Sequence, residues 1–156
     1  MGLRIDWIKG LVRVTSDVYE AGPGKLPGIG TGAAYAAGDA FGTAFVLKVP
    51  KMGTISNAVL LDFDDEGLRK DIALFRGPFT ETADNAAFAP SDSDLEACIG
   101  VISIDQFFNW SSNQIGIATP AFSYVAPTGN LYCQVITQGA DNIAAGSVPK
   151  LFLVII

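Results

Sequence analysis

The chain has 156 residues, 49% of them hydrophobic and 17% charged, with 17 glycines and a formal net charge of −6. That length suits one domain whose core needs no disulfide or metal to hold it, and the low charge excludes a disordered chain. The acidic balance argues against nucleic-acid binding, which needs clustered Lys and Arg. The complete lack of histidine removes Ser-His-Asp and Cys-His catalysis and the commonest zinc ligand.

Residues 1–34 differ from the rest. The segments Leu3-Arg-Ile-Asp-Trp-Ile8 and Leu11-Val-Arg-Val-Thr15 place apolar residues beside charges, and residues 21–32 (Ala-Gly-Pro-Gly-Lys-Leu-Pro-Gly-Ile-Gly-Thr-Gly) form a Gly/Pro-rich dozen. No helix survives that composition, so the dozen reads as an extended connector. A solvated tail would not carry Leu3, Ile5, Trp7 and Ile8. The segment therefore reads as an N-terminal arm, lying either along a partner or on its own core. In the partner reading, Leu3, Ile5, Trp7, Ile8 and Val12 anchor it, while Arg4, Lys9 and Arg13 pair with acidic groups. Met1–Gly10 lacks the apolar core of a signal peptide.

From Tyr35 to Ile156 the period is mostly two, which predicts a second unit, 35–156, that is all-β. Gly38-Asp39 is expected to make a tight turn, with Asp39 bonding local backbone N–H groups. Strands are expected at Ala44–Val49, Ile55–Phe63, Asp71–Phe75, Ala97–Ile104, Gln114–Thr119, Ala121–Val125, Asn130–Thr137 and Lys150–Ile156. Asp62–Gly67 reads as a hairpin turn, Asp84–Asp94 as a loop, and Ser91-Asp-Ser-Asp-Leu-Glu as the cap of one helical turn. Some eight short strands with this punctuation favour an antiparallel β-sandwich or jelly roll. The final Leu-Phe-Leu-Val-Ile-Ile reads as a closing strand buried on both faces. It is too short to cross a bilayer.

Few residues invite chemistry. Asp62, Asp64, Glu66 and Gly67 echo the start of a calcium loop, but Ala73 stands where the bidentate Glu would be. A turn explains them as well. Asp84, Asp92, Asp94 and Glu96 are the candidate carboxylates for glycoside hydrolysis. Phe107, Trp110 and Tyr124 are the candidate stacking platform of a carbohydrate-binding module. Gly28-Ile-Gly-Thr-Gly32 lacks the strand and helix that a nucleotide loop requires. Cys98 and Cys133 sit in apolar contexts and read as buried thiols, with a disulfide left open. Between Arg76 and Lys150 the chain has no basic residue but seven acidic ones, from Glu81 to Asp141. A solvated acidic face accounts for this, or a surface that steers a basic partner.

The order Tyr35–Gly42, Gly53–Asp65, Asp71–Phe75, Asp84–Phe88, Ser91–Asp94 and Cys98–Ile104 resembles a family of small structural proteins of tailed bacteriophages, the capsid decoration or cement proteins. The resemblance runs from Tyr35 to the end and fades before it. It implies a non-enzymatic virion protein without cofactor, placed on the capsid exterior after assembly in the host cytoplasm. Its implied partner is the major capsid protein, its implied assembly a homotrimer, with neither nucleic acid nor membrane involved. A tail, baseplate or head-fibre β-module is the alternative within the virion.

Overall fold

The computed structural model describes residues 4–8, 11–15 and 19–156, with side chains described from Tyr19 onward. Strands β1 (Arg4–Ile8) and β2 (Leu11–Thr15) pair antiparallel, with Ile5 opposite Val14 and Trp7 opposite Val12. The expected anchors Arg4, Ile5, Trp7, Ile8, Val12 and Arg13 lie on this hairpin, whose side chains are outside the described residues, as are Leu3 and Lys9 altogether.

The remainder runs β3 (Tyr19–Lys25), β4 (Phe45–Lys48), β5 (Met52–Asp62), β6 (Lys70–Phe75), α1 (Asp92–Ala97), β7 (Cys98–Ile104), β8 (Gln106–Asn109), β9 (Gln114–Ala118), β10 (Phe122–Val125), β11 (Asn130–Thr137) and β12 (Lys150–Ile155). These strands make an all-β sandwich of two antiparallel sheets. One is six-stranded in the order β3-β12-β5-β9-β8, with β10 also on β5; the other is β4-β11-β6-β7. All eight expected strands are present, and β3 and β8 are additional. β3 revises the connector reading: Tyr19–Lys25 pairs with β12, and Ala21 and Leu26 belong to the core. Pro23 is tolerated because β3 is an edge strand, where a missing N–H breaks no ladder.

Alternation decides which side chains enter the core. Leu47, Ile72, Leu74, Ile102, Ile104, Leu131, Cys133 and Val135 come from the smaller sheet; Ile55, Ala58, Leu60, Leu151, Leu153 and Ile155 come from the larger. β6 is buried along its whole length because its other face is covered too. Ala73, Phe75 and Ile136 pack there under Phe79 and Phe88 of the long connection before α1, with the Phe75 and Phe79 rings stacked at 4.0 Å. The Gln134 side chain ties that connection down. Its amide donates to the carbonyls of Thr82 (2.6 Å) and Gly42 (3.1 Å) and accepts from Thr82 N–H (3.1 Å). α1 begins on Ser91 with a full capping box to Asp94, as the local sequence indicates.

Two connections depart from expectation. Asp62–Gly67 is not a hairpin turn: β5 and β6 lie in different sheets, so the segment carries the chain across the sandwich. The Asp62 carboxylate organises the crossing by accepting from the N–H groups of Asp64 (3.0 Å), Glu66 (2.9 Å) and Gly67 (3.1 Å). β9 and β10 run in one lane along β5, β9 on Ala58–Asp62 and β10 on Met52–Ile55. Thr119-Pro-Ala121 interrupts that lane, with Ala121 at φ 47° and Pro120 lacking an N–H to donate.

Candidate functional site

The outward face of the six-stranded sheet is unusual for a sheet turned to water, whose outer positions are ordinarily polar. Register places two cross-strand rows on it. One runs Phe152–Val59–Ile117–Gln106, the other Lys150–Leu61–Ile115–Phe108. The inward neighbours Leu151, Ala58, Leu60 and Gly116 are buried, while Phe152, Val59, Ile117, Leu61 and Ile115 are half-buried and Phe108 is 53% exposed. Six apolar side chains from four strands thus form one patch, extended by Phe63, over which the Lys150 ammonium sits at 5.7 Å from the ring centroid. The cause is local. The runs Ala58-Val-Leu-Leu61 and Leu151-Phe-Leu-Val-Ile155 are apolar at both parities, so whichever residues enter the core, the others stay outside. The last strand, expected to be buried on both faces, is buried on one.

The other sheet differs. Its outer face is covered over β6 by the 76–97 connection, beside an open depression of about 270 Å³ floored by Ala73 and Ile136 and walled by Phe88 and Val101, while Val46 on β4 stays exposed. Asp71 closes its polar end, but that carboxylate accepts from Ser103 Oγ (2.6 Å), Arg69 Nε and Nη2 (3.0 and 3.1 Å) and Gln138 Nε2 (2.9 Å). Such saturation leaves it no free lone pair for acid–base work.

The acidic residues singled out by sequence divide in two. Asp84 accepts from Gly30 N–H (2.8 Å), Gly42 N–H (2.7 Å) and the Tyr35 hydroxyl (2.7 Å), pinning the glycine loop to the start of the sandwich. Burial, reinforced by that carboxylate, pushes the Tyr35 hydroxyl far above its ordinary range. The Gly28–Gly32 loop thus gives its central N–H to Asp84. Asp94 is held by Ser91 and by Thr80 N–H, with the Ser91 hydroxyl bond keeping its carboxyl below the usual range. Glu81, Asp92, Glu96 and Asp105 remain on the surface. The acidic half is therefore partly surface charge and partly internal scaffold. Asp39 bonds Ala36 N–H (2.7 Å), the local turn contact its sequence suggests.

The aromatic candidates do not share a face. Trp110 is 67% exposed, whereas Tyr124 is 5% exposed and Phe107 packs inward against the core. Burial pushes the Tyr124 hydroxyl up to about 12. Among the described residues no group of three or more Cys, Asp or Glu is placed to hold a metal ion.

Both cysteines are free, and β6 lies between their strands, with Phe75 opposite Cys98 and Leu74 opposite Cys133. Burial alone raises the Cys133 thiol far above its ordinary range. A water-soluble disulfide reagent is expected to modify at most Cys98 in the folded chain and both thiols once it is denatured. Native labelling of Cys133 would contradict this packing.

Sequence reading found neither the outer patch nor the Asp84 hub. The first had a signal, two runs apolar at both parities; the second had none, because its partners are 42 to 54 residues away. No family model, curated protein or solved structure matches the chain.

Proposed function

We propose that this chain is a non-enzymatic structural protein of a tailed-phage virion, a decoration or cement protein that binds the outer capsid surface between capsomers and stabilises the head. The observation that carries the binding part is the apolar outer face of the six-stranded sheet. Water removed from such a face is the dominant favourable term in protein association, and full burial of a Val, Leu, Ile or Phe side chain is worth about 1.5–3 kcal/mol. The capsid as partner comes from the resemblance of Tyr35–Ile104 to decoration proteins. A homotrimer, as those proteins suggest, would repeat the face around a symmetry axis and multiply a modest single-site affinity over the lattice. Of the four acidic residues suited to catalysis in sequence, Asp84 and Asp94 are occupied by backbone and hydroxyl donors, while Asp92 and Glu96 are exposed.

Protein composition of purified virions tests the proposal. The chain should be present in heads at a copy number on the scale of the major capsid protein. It should also co-sediment with undecorated capsids when added back. Absence from heads, or a few copies confined to tails, would overturn it. Removing residues 1–16 probes the arm reading without cutting β3; unchanged co-sedimentation would exclude Leu3, Arg4, Ile5, Trp7, Ile8, Lys9, Val12 and Arg13 as capsid anchors.

A further inference from the structure

We propose that Lys70 and Asp141 become joined by an intramolecular amide bond, which the protein forms on itself once the fold has brought the two side chains together. The pair is enclosed. Lys70 Nζ lies 2.7 Å from Asp141 Oδ1, with the side chains 3% and 0% exposed. The Phe41 ring stands 5.0 Å from the nitrogen. β-Pairing sets the approach: Thr137 is directly opposite Lys70, and its hydroxyl donates to the other oxygen of Asp141, Oδ2. The Lys70 nitrogen also donates to the Leu68 carbonyl at 2.7 Å.

As an ion pair this arrangement carries two charges in a dry core, where the desolvation of each opposes the attraction between them. Burial holds the Lys70 ammonium below the usual lysine range, against the pull of Asp141. The neutral amine needed for attack is thereby favoured. Moving one proton from Nζ to Oδ1 turns ammonium and carboxylate into amine and carboxylic acid. The nitrogen lone pair then attacks Asp141 Cγ, whose remaining oxygen is polarised by the Thr137 hydroxyl. The Cγ–Oδ1 bond breaks, and Oδ1 leaves as water with a second proton from the nitrogen. One N–C bond forms, one C–O bond is lost, and neither oxidant nor co-reactant is required.

The contacts already present suit the product better than the ion pair. The single amide N–H keeps the Leu68 carbonyl, the amide oxygen keeps the Thr137 hydroxyl, and no charge is left inside.

Intact-mass measurement of the denatured full-length chain decides the matter and needs no variant. The folded-then-denatured protein should be lighter than its sequence by one water. Digestion should yield a branched peptide joining the Lys70 and Asp141 segments, with trypsin failing to cut after Lys70. Lys70→Arg and Asp141→Ala should restore the full mass. A full sequence mass for the folded wild-type chain overturns the proposal. So does a water loss confined to one linear peptide, which would mark ring closure at an aspartate. Neither outcome bears on capsid binding.

Discussion

Asp84→Asn is expected to destabilise the sandwich by about 2–4 kcal/mol, visible as a lower denaturant midpoint with unchanged slope. The size follows from the partners. All three groups on the Asp84 carboxylate are donors: two backbone N–H groups and the Tyr35 hydroxyl. An amide offers one acceptor oxygen and turns an NH₂ toward the rest, so at least one donor loses its partner in a partly buried site. Bonds to a charged acceptor are worth roughly twice neutral ones, which adds to the loss. Tyr35→Phe removes only one donor and should cost about 1 kcal/mol. Equal, small effects from both would mean that the hub does not hold the loop.

Val59→Lys is expected to leave folding nearly intact while weakening capsid binding by about 10²–10⁴-fold. Val59 lies at the centre of the outer rows, flanked by Phe152 and Ile117, and is half-buried in the single chain. A lysine there can lay its stem along the sheet and keep its ammonium in water. Under a partner the same ammonium would be buried without a counter-charge, at a cost of about 3–5 kcal/mol. Val46→Lys is the control. It lies on β4 of the other sheet at 48% exposure and should leave co-sedimentation unchanged. Circular dichroism and a melting curve separate loss of fold from loss of binding. If Val59→Lys binds normally, this face is not the contact surface.

Local signals account for most of what the sequence revealed. Alternation located eight strands because one face of each enters a continuous core. Ser91 and Asp94 announced their helix because a capping box is a matter of four consecutive residues. β3 was hidden by Gly22, Pro23 and Gly24, whose composition speaks for a connector and which pair only because β12 lies beside them. β8 is four residues long, and its adjacent Phe107 and Phe108 show no apolar alternation, although one ring faces the core and the other faces out. Asp62–Gly67 read as a hairpin turn, because local sequence does not declare which sheet the next strand will join. The candidate sites needed distant partners. Lys70 meets Asp141 across 71 residues, and neither residue's neighbours in sequence foretell the other.

The long strand β5 has a mechanical consequence. It is hydrogen-bonded along its length to β12 on one side and to β9 and then β10 on the other. A pull along β5 would therefore have to shear three antiparallel ladders at once, since no single one can be unzipped bond by bond while the others hold. The interruption between Ala118 and Phe122 divides that lane into two separate ladders, one with β9 and one with β10. Pulled in that direction, the protein would resist as a laminate, its load shared across strands that lie far apart in the chain.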